Sequence, residues 1–307
     1  MLPSAAARSG ARAQIDAADK PTIYHFPISL PSQQVRLALA EKQVEWTGRI
    51  VNIGPANEHL EPWYAELNPQ LEVPTFALDD AVVTGASSII TYIDQRFEGP
   101  SLMPSEPELR AEVMRWVELQ ANFPMRELGH ARSQGMTKWF QRWSMRQERA
   151  RLRRMMRRVV PQLRGVYEDR LHTIETLERG LRDRAAVQEL VDEVETMLDE
   201  LEDTLVERPW LAGERYTLAD LMWTAVVARL EQIGFARSIS RHRRPHLAKW
   251  YARVRERPSW TAMIRRLSVS QVLRIYGPAV AKTFLLVWVL KWIVVLGIGW
   301  LIAHFSG

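Results

Sequence analysis

Between residues 22 and 97, short apolar segments alternate with amphipathic ones. Thr22-Ile23-Tyr24-His25-Phe26 reads as a strand that Pro27 ends. Residues 32–42 (SQQVRLALAEK) place Val35 and Leu39 on one face at helical spacing. Trp46–Ile53 is rich in β-formers and reads as a second strand, and Pro62–Leu67 as a short helix. Phe76-Ala77-Leu78 and Ala81-Val82-Val83 flank Asp79-Asp80 and predict a tight hairpin. Over 87–97, Ile89, Ile90, Ile93 and Phe97 share one helical face. Val73-Pro74 stands directly before a strand, where proline cannot donate to the ladder, so a bend and a cis X-Pro bond are expected there. The order strand, helix, strand, helix, strand, strand, helix defines a compact α/β unit over 21–99. After Pro100 and Pro104-Ser105-Glu106-Pro107, a linker, strand signals stop and the pattern is helical over 108–267.

A third pattern closes the chain. Phe284–Ala303 is apolar on all faces except for Lys291, and twenty residues at helical rise cover about 30 Å of hydrocarbon. Its thirteen Leu, Ile, Val and Phe residues contribute about −4 to −8 kcal/mol, against roughly +3 for a central lysine that can snorkel. A single transmembrane helix over 283–303 is expected. Trp300 sits at an interfacial position, and Arg265, Arg266, Arg274 and Lys282 precede the run. That charge bias predicts a tail anchor with the N-terminal body in the cytoplasm. Residues 1–20, rich in Ala, Ser and Arg without apolar period, read as a disordered leader. Arg8 and Arg12 ahead of the first acid, Asp16, leave a mitochondrial transit peptide as the alternative.

Composition removes several functions. The 307 residues contain no cysteine, which excludes disulfides, thiolate zinc sites and thiol redox chemistry. Seven scattered histidines predict no metal site, and no phosphate-binding glycine loop or Ser-His-Asp pattern is present. A net charge of +5 is too small for a dedicated nucleic-acid binder. The charge is unevenly spread, however. Arg142–Arg158 holds eight arginines and one acid, Glu148, interleaved with Trp143, Met145, Leu152, Met155 and Met156. Such a stretch suits an anionic lipid surface or an acidic partner. The alternative is internal neutralisation by Glu189–Glu207, whose nine acids flank an apolar stripe, in an antiparallel helical hairpin within or between subunits.

The chain resembles the glutathione transferase family. The resemblance is carried by Asn68-Pro69 with Val73-Pro74, by Trp210-Leu211-Ala212-Gly213, and by Tyr216-Thr217-Leu218-Ala219-Asp220. Thr217 and Asp220 also form a capping box. Ser32-Gln33-Gln34-Val35-Arg36-Leu37, Glu61-Pro62-Trp63, Ile89-Ile90-Thr91-Tyr92-Ile93 and Gly234-Phe235-Ala236-Arg237 are similar to the ganglioside-induced differentiation-associated protein 1 branch. The implied fold class is α+β. A thioredoxin-like N-terminal domain (21–99) precedes an all-α C-terminal domain (108–267) with an arginine-rich insert at about 126–180, and then the membrane helix.

The resemblance also implies a site, a co-substrate and an assembly. Glutathione is the co-substrate, and Ser29 is the serine-type hydroxyl that lowers its thiol pKa, with Tyr24 and Ser32 as secondary candidates for that role and a plain helix N-cap or turn serine as the alternative role for Ser29. The Val73 backbone beside Pro74 would receive the cysteinyl part. Ser87 and Ser88, with helix amides, would receive the γ-glutamyl carboxylate. Gly85 and Ala86 stand where the family has an acid and a serine, so the ammonium partner is missing. Leu71 replaces a loop glycine, and Glu72 places an acid beside the site, where it would repel a glutathione carboxylate. A homodimer is implied. The function expected is a membrane-anchored transferase-like protein that uses glutathione on a hydrophobic electrophile. The alternatives are a scaffold or sensor that has lost the chemistry, or a carrier of an apolar ligand in the interdomain cleft.

Overall fold

The computed structural model describes residues 20–263, 270–271, 273–278 and 281. The leader (as far as residue 19) and the run over 283–303 lie outside the described residues. Among the described residues, no helix is long and apolar enough to cross a membrane.

Four strands, β1 (Thr22–His25), β2 (Thr47–Ile50), β3 (Thr75–Leu78) and β4 (Ala81–Thr84), form a sheet in the order β2-β1-β3-β4. The β1–β2 pair is parallel; β1–β3 and β3–β4 are antiparallel. Asp79 takes φ 51° in the hairpin between β3 and β4, a left-handed conformation that aspartate tolerates. Because side chains alternate along a strand, the sheet has two apolar faces. Ile23, Phe76 and Leu78 pack with Val35 and Leu39 of α1 (Leu30–Glu41) and with Ile89, Ile90 and Ile93 of α3 (Ala86–Arg96). Tyr24, Phe26 and Ala77 face Tyr64 and Leu67 of α2 (Pro62–Leu67). The expected β2 is shorter at both ends than Trp46–Ile53; the expected element order is otherwise present.

The linker is firmly held. Asp94 on α3 accepts from the Leu102 and Met103 amides at 2.9 and 3.0 Å and pairs with the buried Lys42 ammonium at 2.8 Å. Beyond it, α4 (Pro107–Ala121), α8 (Arg184–Glu207), α9 (Leu218–Leu230), α10 (Pro245–Arg255) and the short α11 (Trp260–Met263) build the helical unit. Trp116, Trp223 and Trp250 are fully buried there, and Trp223 donates to the Trp116 carbonyl at 3.0 Å. The capping box at Thr217 and Asp220 is present. Asp220 also accepts from the Leu211 amide (3.0 Å) and the Trp250 indole (2.9 Å). Burial pushes its carboxyl up to about 6, against the pull of these donors. The two units are joined by Gln34 donating to the Met222 carbonyl at 3.0 Å and by Arg257 gripping Glu41 at 2.8 and 2.7 Å.

The insert comprises α5 (Met125–Ala131), α6 (Gly135–Met155) and α7 (Pro161–Gly180). Within the chain, the expected pairing of Arg142–Arg158 with Glu189–Glu207 is not present among the described residues. Instead α6 pairs with its sequence neighbour α7: Arg149 meets Glu178 at 2.7 Å and Arg153 meets Glu175 at 2.9 Å. The acidic helix α8 turns to the C-terminal end. There the buried Arg244 bonds Glu195 and Asp199, and Glu202 accepts from the His246 and Leu247 amides that open α10. A short loop brings α6 and α7 together at little entropic cost, and the acids of α7 satisfy α6 before α8 is reached.

The α6–α7 hairpin lies on the N-terminal unit. Leu152, Met155, Tyr167 and Ile174 pack on Leu60, Ala65 and Leu71. Tyr167 donates to the Leu60 carbonyl at 3.0 Å, and Arg151 pairs with Glu61. Residues 273–278 are helical and return to the same unit. Ile275 is buried among Tyr24, Phe26, Val51 and Val73, and its carbonyl accepts from the Asn52 amide at 3.1 Å.

Candidate functional site

Strand register brings the expected site residues to one end of the sheet. Tyr24, Thr75 and Thr84 lie in one row across β1, β3 and β4. Just past that row, β1 runs out toward Ser29, Val73-Pro74 leads into β3, and β4 runs into Gly85–Ser88. Strands about 4.8 Å apart put these three chain segments side by side.

Ser29 is the N-cap of α1, and its hydroxyl accepts weakly from the Ser32 amide at 3.4 Å. It is half-buried. The other two hydroxyls belong to buried residues. Ser32 is fully buried and accepts from the Phe26 amide at 3.3 Å. Tyr24 is buried beside Trp63, with the Arg49 guanidinium 5.5 Å from its ring. Ser29 thus combines an accessible hydroxyl with a helix N-terminus, two features that favour a thiolate over a thiol.

The peptides before Ser29 are clamped by two arginines from different helices. Arg36 on α1 donates to the Pro27 carbonyl at 2.8 Å, and Arg229 on α9 donates to the Ile28 carbonyl at 2.6 Å. Arg229 also reaches the Gln33 side chain at 3.3 Å, and burial lowers its pKa. Its role has no sequence signal, because one arginine in an apolar helix makes no pattern. A cleft of about 630 Å³ beside this loop is lined by His25, Arg36, Trp46 and Ala262.

The Val73-Pro74 bond is cis, as expected. The preceding Glu72 carbonyl is held by the Tyr64 hydroxyl at 2.6 Å and the Asn68 amide at 2.7 Å. Both side chains also bond Thr75 Oγ1 at 3.0 Å, and burial pushes the Tyr64 hydroxyl up to about 12. No hydrogen bond within the described residues uses the Val73 amide. Leu71, in place of a glycine, is accommodated at φ 55°. The Glu72 carboxylate lies 3.3 Å from Arg170 of the insert, so the repulsion expected from it is offset.

Gly85 caps α3 at φ 81° with no side-chain cap, leaving first-turn amides for an anion. Ser87 is half-buried and Ser88 exposed in that turn. The first turn itself holds no acid.

A thioredoxin-like sheet with a cis-proline loop, joined to a helical unit whose α9 buttresses the first strand's exit, defines a thiol-handling transferase architecture. Comparison with known proteins agrees. Residues 23–101 match the family model for the glutathione S-transferase N-terminal domain, and residues 184–253 that for the C-terminal domain. The chain is 30% identical over 241 residues to tetrachloro-p-hydroquinone reductive dehalogenase of Sphingobium chlorophenolicum, spanning 78% of this chain and 93% of that protein. It is 27% identical over 261 residues to ganglioside-induced differentiation-associated protein 1-like 1 of Homo sapiens, covering 76% and 71%. The beta-etherase LigF structure from Sphingobium sp. strain SYK-6 superposes with a TM-score of 0.60 at 22% identity, covering 80% and 98%. The chain belongs to the glutathione S-transferase family.

Proposed function

We propose that this protein is a membrane-anchored, serine-type glutathione S-transferase acting on a hydrophobic electrophile. The observation that carries the reading is the half-buried Ser29 hydroxyl at the start of α1, on a loop clamped by Arg36 and Arg229. In this reading the thiol loses its proton to solvent, and the Ser29 hydroxyl donates to the resulting thiolate. The thiolate attacks an electrophilic carbon, and the leaving group departs with the bonding electron pair. The Val73 amide would hold the cysteinyl part, and the α3 N-terminus with Ser87 and Ser88 the γ-glutamyl carboxylate. A relative named for reductive dehalogenation of tetrachloro-p-hydroquinone supports an aromatic electrophile as the substrate class.

The apolar run over 283–303, preceded by Arg265, Arg266, Arg274 and Lys282, supports a single-pass tail anchor with the body on the cytoplasmic side. Resistance to alkaline carbonate extraction is the expected result. A homodimer is part of the same reading, and sedimentation in detergent at several protein concentrations tests it.

The central test is calorimetry of glutathione with the full chain in detergent, beside Ser29→Ala. Binding at or below millimolar glutathione, with thiolate absorbance that Ser29→Ala removes, supports the transferase. The acid-free first turn of α3 favours a second reading, a scaffold without this chemistry. Absence of binding at cellular glutathione levels would refute the transferase reading.

A further inference from the structure

Helix α6 sorts its cations into two sets. Arg149, Arg151 and Arg153 are neutralised by Glu178, Glu61 and Glu175. Lys138, Arg142, Arg146 and Arg154, with Arg157 just beyond the helix end, are exposed and form no ion pair among the described residues. At about 100° per residue, these five fall within an arc of roughly 160°, opposite the stripe that buries Met145, Glu148, Leu152 and Met155. Trp139 lies within that arc and is 61% exposed. Arg149 and Arg153 fall within the same arc, about 20° and 60° round from Lys138, and are balanced there by Glu178 and Glu175; the five unpaired cations leave this face net cationic, with an aromatic at one end.

The next residue, Phe140, packs edge-to-face against Tyr276 with ring centroids 6.0 Å apart. Tyr276 is seven residues before residue 283, a connection that spans at most about 25 Å in any conformation. The start of α6 thus packs on a residue only seven positions before the apolar run in the sequence.

We propose that the outer face of α6 is a docking surface for an anionic bilayer, the one that carries the chain's own anchor. Arginine and lysine attract acidic headgroups within a Debye length of the surface, and an exposed tryptophan suits the interface. An acidic protein partner is the rival occupant. The juxtaposition with the anchor favours lipid, and the inference rests on the anchor reading in that respect.

The chain has no cysteine, so Ala150→Cys, on the same exposed face, creates a unique labelling position. The full chain, labelled there with a fluorophore, is reconstituted into vesicles of phosphatidylcholine alone or with about 30% phosphatidylserine. Both preparations contain a headgroup-quencher lipid. Quenching at least about twofold stronger with phosphatidylserine is expected. It should be lost in molar salt and in the Arg142→Gln/Arg146→Gln/Arg154→Gln variant. Equal quenching in the two vesicles, or indifference to salt and to the variant, would overturn the proposal, and would do so if an acidic protein is the true occupant. Flotation with pure phosphatidylcholine vesicles reads the anchor separately. A chain that fails to float there but binds phosphatidylserine vesicles from solution refutes the anchor and keeps the cationic face.

Discussion

Glu148 is buried under the insert, with Arg170 at 2.9 Å, His59 at 3.5 Å and Arg126 at 3.9 Å. Burial alone would raise its carboxyl, but these neighbours outweigh that and hold it at about 2 instead of the ordinary 4.5. Arg170, bonding through two nitrogens, is the main charge partner by geometry; burial lowers the pKa of His59 and favours its neutral form. Glu148→Gln leaves Arg170 without its buried counter-charge, and a loss of about 3–5 kcal/mol in urea unfolding at neutral pH is expected. A depressed acid stabilises the fold fully above its unfolded pKa. The difference between wild type and variant should therefore shrink as the pH falls from 4.5 toward 2, with about 3 kcal/mol at stake. At the candidate site, Arg229→Met releases the Ile28 carbonyl. Charge-assisted bonds of this kind contribute about 1.5–3 kcal/mol, so glutathione affinity should fall about tenfold or more while circular dichroism is unchanged. Arg229→Lys should restore part of the loss.

Helix α9 begins on Thr217 and Asp220, and its start organises more than its own first turn. Thr217→Ala is expected to cost about 1 kcal/mol, the usual loss for a cap. Asp220→Ala orphans the Leu211 amide and the Trp250 indole as well, so a larger loss, on the order of 3 kcal/mol, should appear in thermal melts. That box was legible because capping chemistry is local and has a fixed spacing. The strand and helix order of the N-terminal unit was legible for the same reason: Ile23 and Tyr24, or Ala77 and Leu78, take opposite faces by period alone. The pairing of the charged helices was not. Arginine and glutamate attract one another in any combination, so sequence shows that α6 and α8 each need counter-charges without saying whose. Arg244, fully buried against Glu195 and Asp199, settled the matter for α8, and α7 settled it for α6. Arg36 and Arg229 were hidden likewise, since their bonds go to carbonyls that every residue possesses.

At the scale of the molecule, the insert hairpin is docked on the N-terminal unit by a small apolar cluster and a ring of ion pairs. Tyr167→Phe removes one bond to the Leu60 carbonyl, with about 0.5–1.5 kcal/mol expected. Hydrogen exchange should quicken in α6 and α7 while the amides of β1 and β3 keep their protection, which would identify the hairpin as a separate opening unit. The last described helix has a different relation to the rest. Ile275 is bonded to Asn52 and buried against Tyr24 of the sheet, while its neighbour Tyr276 lies on Phe140 of the insert. A displacement of this helix would therefore be felt by the sheet and the insert together. The two contacts on consecutive residues thus make this short helix a shared fastening point for the sheet and the insert.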